Sequence, residues 1–380
     1  MDDSNYRIGI DVGGTFTDIV AVSDKGTVIF SKAPSTPADP SIGVMDAIAR
    51  LSHELRTESA VLLSKTERIV HGTTVATNAL LERKGAKTGL LTTIGHRDVL
   101  EMREGLKDDR YNMRLAAPET LVPRYLRLGV KERIRPDGSI HVPLDNDALD
   151  AAIEKLKEAD VTSIAVCYLH AYKESKHEKE TRARIESKLP GVSVSLSSEV
   201  FPEIKEYERV STTVVNAYVR PVVEKYLRKL GDRLRETGYQ GPVLIILSHG
   251  GVAPIDEAVR LAAGTVLSGP AGGVAGSRYG SSLIGAENLV PFDMGGTSTD
   301  ISMIVNGEPA LSSTRGIAGQ RVALQSLDIV SIASGGGSIA RVDNGGILRV
   351  GPESAGAVPG PACYGKGGVE VAVTDASVVL

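Results

Sequence analysis

The chain has 380 residues, 43 basic and 47 acidic, for a formal charge of −4, a balance that argues against a nucleic-acid binder. No run approaches the roughly 20 apolar residues of a membrane span, and the acidic start MDDSNYR lacks the basic and apolar regions of a signal peptide. Only two cysteines are present, Cys167 and Cys363, so a disulfide framework and a cysteine zinc site drop out and a reduced, cytoplasmic setting is expected.

Taken in chain order, Tyr6–Val12 reads as a strand, Gly13-Gly14-Thr15 as a tight turn and residues 18–23 as the returning strand; after Lys25-Gly26, residues 27–32 form a third. Asp39-Pro40 starts a helix with Met45, Ile48, Leu51 and Leu55 on one face. Residues 68–71 read as a strand, 74–84 as a helix closed by Gly85, and 88–92 as a further strand. Residues 105–127 are irregular and charged, a surface excursion. Pro136-Asp137-Gly138 marks a hairpin, and Leu149, Ile153 and Leu156 a helix.

An apolar strand at 163–168 leads into a charged helix at about 175–188. There His177, Glu178 and Glu180, with His170, read as a solvated face. Residues 204–236 are helical, with Pro221 predicting a kink or split near Tyr218. Gly241-Pro242 then opens a second α/β region at strand 243–247. The lobe boundary falls near residue 200, giving domains 1–200 and 201–380, and the closing run 377–380 reads as an element cut short. The alternation indicates an α/β fold with sheets covered by helices.

Residues 11–18 read DVGGTFTD and residues 293–300 read DMGGTSTD, identical at six of eight positions and each set between apolar strands. A strand ends in an acid, two glycines turn the backbone, and threonine hydroxyls flank the turn. Consecutive amides with no side chains in the way make a nest for phosphate. Gly13, Gly14, Thr15 and Thr17 would supply it in the first copy, and Gly295, Gly296, Thr297 and Thr299 in the second. Asp11 and Asp293 cannot favour phosphate directly, but fit if Mg²⁺ or its water lies between acid and phosphate. One copy alone would be a common turn; two copies are not. Asp18 and Asp300 read as hairpin-fixing residues. The sequence has neither a P-loop nor a G-x-G-x-x-G after a strand.

Two such hairpins resemble the phosphate motifs of the actin-like ATPase superfamily, whose ribonuclease H-like lobes are duplicated with a nucleotide cleft between them. Residues 268–280, SGPAGGVAGSRYG, look like that superfamily's connecting helix, whose small residues allow a close helix crossing; the other reading is a glycine loop. The runs HGTTVATNALLERKG (71–85), FPEIKEYERVSTTVVNAYVRPVVEKYL (201–227) and GPESAGAVPGPACYGKGG (351–368) resemble the hydantoinase/oxoprolinase family, more closely its A subunit. Its members include hydantoinases, 5-oxoprolinases, caprolactamase-like amidases and the ATP-binding subunits of acetone and acetophenone carboxylases.

The resemblance implies ATP and Mg²⁺ as cofactors and a small cyclic amide as substrate. It also implies a hetero-oligomer with a hydantoinase B-type subunit, and neither nucleic acid nor membrane as partner. The activity implied is phosphorylation of the substrate carbonyl, with Asp293, ahead of Asp11, as base. A ketone carboxylase subunit is the alternative, and the long motifs outside the hairpins count against a nucleotide-switched chaperone or reactivase. His71, Thr73, Thr74 and Asn78 are candidate substrate residues, His71 being equally readable as a structural core histidine. The glycine nest at 334–338 either touches phosphate or substrate, or turns the chain. Cys363 has no basic neighbour closer than Lys366 and is not read as a nucleophile.

Overall fold

The computed structural model describes residues 4–14, 16–105, 111–116, 119–296, 298–356 and 358–380. They form two compact units, one running to Ser268 with Ser313–Ser326 added, the other Gly269–Ser312 with Leu327–Leu380.

In the first unit, strands β1 (Tyr6–Val12), β2 (Phe16–Ser23), β3 (Val28–Pro34) and β4 (Thr66–Thr73) join two later strands. β1 and β2 alternate buried and exposed positions, putting Ile8, Ile10, Val12, Ile19 and Ala21 into the core. Helix α1 (Pro40–Glu54) covers them with Val44, Ala47, Ile48 and Leu51, one stripe at helical spacing. Its start is fixed by Asp39, whose carboxylate accepts the Ser41 amide, and by Pro40 in the first turn.

A second, four-stranded parallel sheet holds β5 (Thr88–Thr93) and β6 (Arg127–Val130), then β7 (Ser163–Cys167) and β8 (Ser193–Leu196), in the order β8-β7-β5-β6. β5 and β7 are buried along their whole length, as parallel strands covered on both faces are. Between β4 and β5 lies helix α2 (Val75–Leu81). Helix α3 (Asn146–Glu158), capped by Asp145, and helix α4 (Lys176–Lys188) flank β7 in sequence. The long helix α5 (Glu206–Glu236) packs against α1 and α2 as well as β7 and β8, and so binds both sheets into one core.

Several expectations change. The α2 helix ends at Leu81 rather than at Gly85: Arg83 takes a left-handed φ of 56°, and Gly85 runs beneath the Tyr218 ring, where a Cβ would come within 2.1 Å. No split occurs at Pro221; α5 is continuous, and the Tyr218 carbonyl, in the turn before the proline, accepts the Ala86 amide at 2.9 Å. The surface excursion closes into β6, whose Arg127 is buried with its guanidinium on the Val122 carbonyl and on Glu101.

His177 and Glu178 are buried, not solvated. His177 Nδ1 stands 2.8 Å from Glu132, and Glu178 accepts the Tyr168 and Ser198 amides. Strand β9 (Val243–Ile246) does not open a second region. It pairs in parallel with β4 and carries β10 (Val252–Pro254), completing a six-stranded sheet in the order β10-β9-β4-β1-β2-β3. Five of these strands have the 3-2-1-4-5 order, with the second antiparallel to the rest, of a ribonuclease H-like layer. The first unit therefore continues well past residue 200.

Helix α6 (Ser268–Ile284) runs from the last residue of this stretch of unit one into the second unit, so the small-residue segment is a helix and not a loop. Gly273, Gly276 and Gly280 on it have open space, with nothing within 4 Å of where a Cβ would stand. Strands β11 (Phe292–Met294), β12 (Thr299–Ser302) and β13 (Ile329–Ile332) make an antiparallel sheet. A hairpin of β14 (Ser338–Val342) and β15 (Leu348–Ser354) and a terminal helix α7 (Val373–Val379) complete it. Among the described residues, no helix is long and apolar enough to cross a membrane.

Candidate active site

The two repeated segments fold alike. In the first, Asp11 pairs with Asp18 across β1 and β2, and the Gly13 amide donates to the Phe16 carbonyl at 3.0 Å. In the second, Asp293 pairs with Asp300, and the Gly295 amide donates to the Ser298 carbonyl at 2.9 Å. None of the four glycines has a positive φ. Glycine is therefore not demanded by backbone conformation; what it provides is open space, since a Cβ on Gly14 or Gly296 would meet nothing within 4 Å. The amides of Gly14 and Gly296 make no hydrogen bond among the described residues. Thr15 and Thr297 lie outside the described residues.

Each turn is braced from behind. At the first, the Ser35 hydroxyl donates to the Gly13 carbonyl at 2.7 Å, and Thr17 is buried with its hydroxyl 3.4 Å from that of Ser35. At the second, the Gly336 and Gly337 amides donate to the Gly295 and Gly296 carbonyls at 2.9 and 2.6 Å. A Cβ on Gly335 would stand 2.7 Å from the Gly295 carbonyl oxygen, and one on Gly337 2.8 Å from that of Gly296. The 334–338 nest, left open by sequence, thus backs the second hairpin. Buried Thr299 donates its hydroxyl to the Ser334 carbonyl of the same loop. Both second threonines support the turns from inside.

The acids stand at the surface. Asp11 is exposed on β1 opposite Gly72 of β4, and a Cβ there would lie 2.9 Å from Asp11 Oδ1, so glycine at 72 leaves room for the carboxylate. Asp293 is exposed on β11. Asp18 pairs with Lys32 of β3 at 3.0 Å and Asp300 accepts the Ser331 hydroxyl of β13, so each reaches to the third strand of its sheet and not across its own hairpin.

Beside the first turn, unit one holds a cavity of about 400 Å³ reached by Gly13, Gly14, Thr74, Asn78 and Tyr226. Thr74 follows β4 at the N-cap of α2 and donates through its hydroxyl to the Val12 carbonyl at 3.1 Å, while Asn78, one turn into α2, donates to the Thr74 hydroxyl. His71 is fully buried behind this wall, its Nε2 2.7 Å from the Tyr226 hydroxyl. Burial pushes its imidazole down to about 4, with the Ile10 backbone opposing, so it is neutral at pH 7. Thr73 is buried too, its amide and carbonyl both held by the Ser268 hydroxyl. Of the four candidate substrate residues, Thr74 and Asn78 reach the cavity and His71 and Thr73 stand behind it. Sequence reading missed Lys225, Tyr226 and Lys229 of α5, which share the cavity; the helix gives no local sign of what it faces. Cys363 is exposed, and Asp375 pushes its thiol up, the direction of a poorer nucleophile.

A ribonuclease H-like layer with paired acid-Gly-Gly hairpins defines an α/β protein of the actin-like ATPase fold. The chain belongs to the hydantoinase/oxoprolinase family: the N-terminal region model matches residues 7–189 and the hydantoinase/oxoprolinase model residues 209–380. It is 41% identical to caprolactamase subunit alpha of Pseudomonas jessenii over 382 residues, covering 100% of this chain and 55% of the relative. The crystal structure of the ATP-dependent caprolactamase from that organism matches with a TM-score of 0.85 at 40% identity, over 99% of this chain and 55% of the other. Identity is 38% to the acetophenone carboxylase gamma subunit of Aromatoleum aromaticum (100% and 53% covered) and 35% to 5-oxoprolinase 1 of Arabidopsis thaliana (100% and 31%). The chain spans about half the length of the first two relatives.

Proposed function

We propose that this chain is the ATP-using part of an enzyme that hydrolyses a cyclic amide, and that it phosphorylates the amide carbonyl. The observation that carries this reading is the second hairpin's repetition of the first, register for register, each with a glycine amide that makes no hydrogen bond among the described residues. The caprolactamase and 5-oxoprolinase relatives support it.

An unstrained amide resists water because its nitrogen lone pair is shared with the carbonyl. In the proposed step the carbonyl oxygen attacks the γ-phosphorus of ATP and the bond to the β,γ-bridging oxygen breaks, releasing ADP. The N–H proton then leaves as the C=N bond forms, giving an imidate phosphate open to water. Catalysis of such a transfer is positioning and charge neutralisation. The amides of Gly14 and Gly296, with the hydroxyls of Thr15 and Thr297, would hold phosphate oxygens; those of Gly13 and Gly295, expected to share that role, are spent on the turns' own carbonyls. Thr17 and Thr299 would keep the turns in shape.

Mg²⁺ fits the donor set: Asp11 and Asp293 are exposed carboxylates, and among the described residues no group of three or more His, Cys, Asp or Glu forms a metal cage. Such an ion keeps its waters and leans on one or two carboxylates plus phosphate. Asp293 would take the base's role. Hydrolysis would need a B-type subunit, in line with relatives named as subunits, in a cytoplasmic setting. The same phosphorylation of a ketone would serve a carboxylase, the reading favoured by the acetophenone carboxylase relative.

The test is ATP-dependent turnover by the full-length protein with its partner. Asp11→Asn and Asp293→Asn should each lower it by roughly 10²–10³, the cost of one transition-state group. Rates within a few-fold of wild type for both would end the hairpin reading.

A further inference from the structure

We propose that the cavity beside the first hairpin is the acceptor pocket, and that it selects cyclic amides bearing a carboxylate, which Lys225 anchors. This rests on the phosphorylation reading above and adds to it where the acceptor lies and what charge it carries.

The cavity, about 400 Å³, has the volume of a small-ligand site. Three separate stretches of chain converge on it besides the turn: the loop from Ser35 to Pro40, the start of α2, and the middle of α5. Val12, Pro37, Val75, Ala79 and Val222 give it apolar walls suited to a ring. Five charged side chains line it: Asp39, Glu82, Lys84, Lys225 and Lys229. Asp39 is held by Lys229 at 2.6 Å and by Arg233 at 3.0 Å, and Glu82 by Lys84 at 2.6 Å. Lys225 makes no ion pair among the described residues. Both acids are taken and one cation is left over, so the pocket favours a ligand with a negative charge of its own.

The polar groups divide the remaining recognition. Asn78 spends its Nδ2 on Thr74 at 3.2 Å, and its Oδ1 has no hydrogen-bond partner among the described residues. That oxygen suits the N–H of an amide. The Gly13-Gly14 turn forms the wall where a carbonyl oxygen would meet the phosphoryl group. A cyclic amide with a carboxylate answers all three: carbonyl to the turn, N–H to Asn78, carboxylate to Lys225.

A matched pair of probes tests this, 5-oxoproline and 2-pyrrolidinone, the same ring with and without the carboxylate. Binding to the full-length protein is followed by calorimetry, and KM for each lactam and for ATP is measured with the partner subunit present. Wild type should prefer 5-oxoproline, and Lys225→Gln should shrink that preference by about 10–100-fold, the range of a hydrogen bond to a charged group. Lys225→Arg should restore most of it. Equal handling of the two lactams by wild type, or an unchanged preference in Lys225→Gln, would overturn the proposal. So would an effect of Lys225→Gln on the KM of ATP alone, which would assign the lysine to phosphate. Carboxylate-dependent binding without any ATP-dependent turnover would keep the pocket and sink the phosphorylation step instead.

Discussion

His71 lies on the central strand of the six-stranded sheet, fully enclosed, with one ring nitrogen against the Tyr226 hydroxyl. Burial lowers its folded pKa to about 4 from 6.5. Between those values the unfolded chain binds a proton that the folded chain refuses. The stabilisation is therefore complete above pH 6.5 and is lost as pH falls towards 4. The shift is worth at most about 3 kcal/mol. Urea unfolding of wild type and His71→Gln should accordingly show wild type losing more stability between pH 7 and pH 4.5. Equal losses in both would mean that some other group drives the acid sensitivity. Sequence alone left this histidine between substrate and core because the group that buries it, Tyr226, is 155 residues away. The hairpins were legible because everything that makes them, acid, glycine pair and threonines, lies within eight residues. Lys225 was not: its position on α5 says nothing of the loop and helix it faces.

At the scale of elements, the same division between local and distant holds. Strands β1, β2 and β3 and helix α1 are written in alternation, turn residues and a cap, all local signals. The assignment of β9 to the first sheet is not, because a short apolar strand carries no record of which neighbour it will pair with. Gly85 shows how a local rule misleads. It reads as a helix stop, yet its service is to let the chain pass under Tyr218 of α5, with the adjoining Ala86 amide satisfying the Tyr218 carbonyl. A methyl group at 85 would lie 2.1 Å from the ring. Gly85→Ala should therefore destabilise unit one by about 1–3 kcal/mol, the usual cost of overpacking. Chemical denaturation would read this as a lower midpoint at unchanged slope, and an unchanged midpoint would show that Tyr218 moves aside freely.

Across the whole molecule the apolar core is unevenly shared. The main cluster of buried hydrophobic residues draws on unit one alone, from Tyr6 to Val266 with Ile317 and Val322. The sheet of unit two leaves Phe292, Met294, Val330 and Ile332 exposed. Few buried contacts and solvent-facing backbone bonds mark regions that open at low free energy. In the 380-residue chain, amide hydrogen exchange should thus be slowest in β1, β4, β5 and β7 and faster by orders of magnitude in β11, β12 and β13. Comparable protection in both units would show that the second is stabilised by something besides its own core.

The two braces behind the repeated glycine turns differ in kind, and that difference governs how each turn can vary. The first is a side chain, Ser35, so a single codon change can weaken, lengthen or delete it, and a graded series of altered turns lies within reach of point mutation. The second is main chain, the amides of Gly336 and Gly337, which no exchange other than to proline removes. Any other mutation there adds atoms, and at Gly335 and Gly337 it adds them where the hairpin's own backbone already stands. Inherited change should consequently tune the first turn and leave the second either intact or ruined.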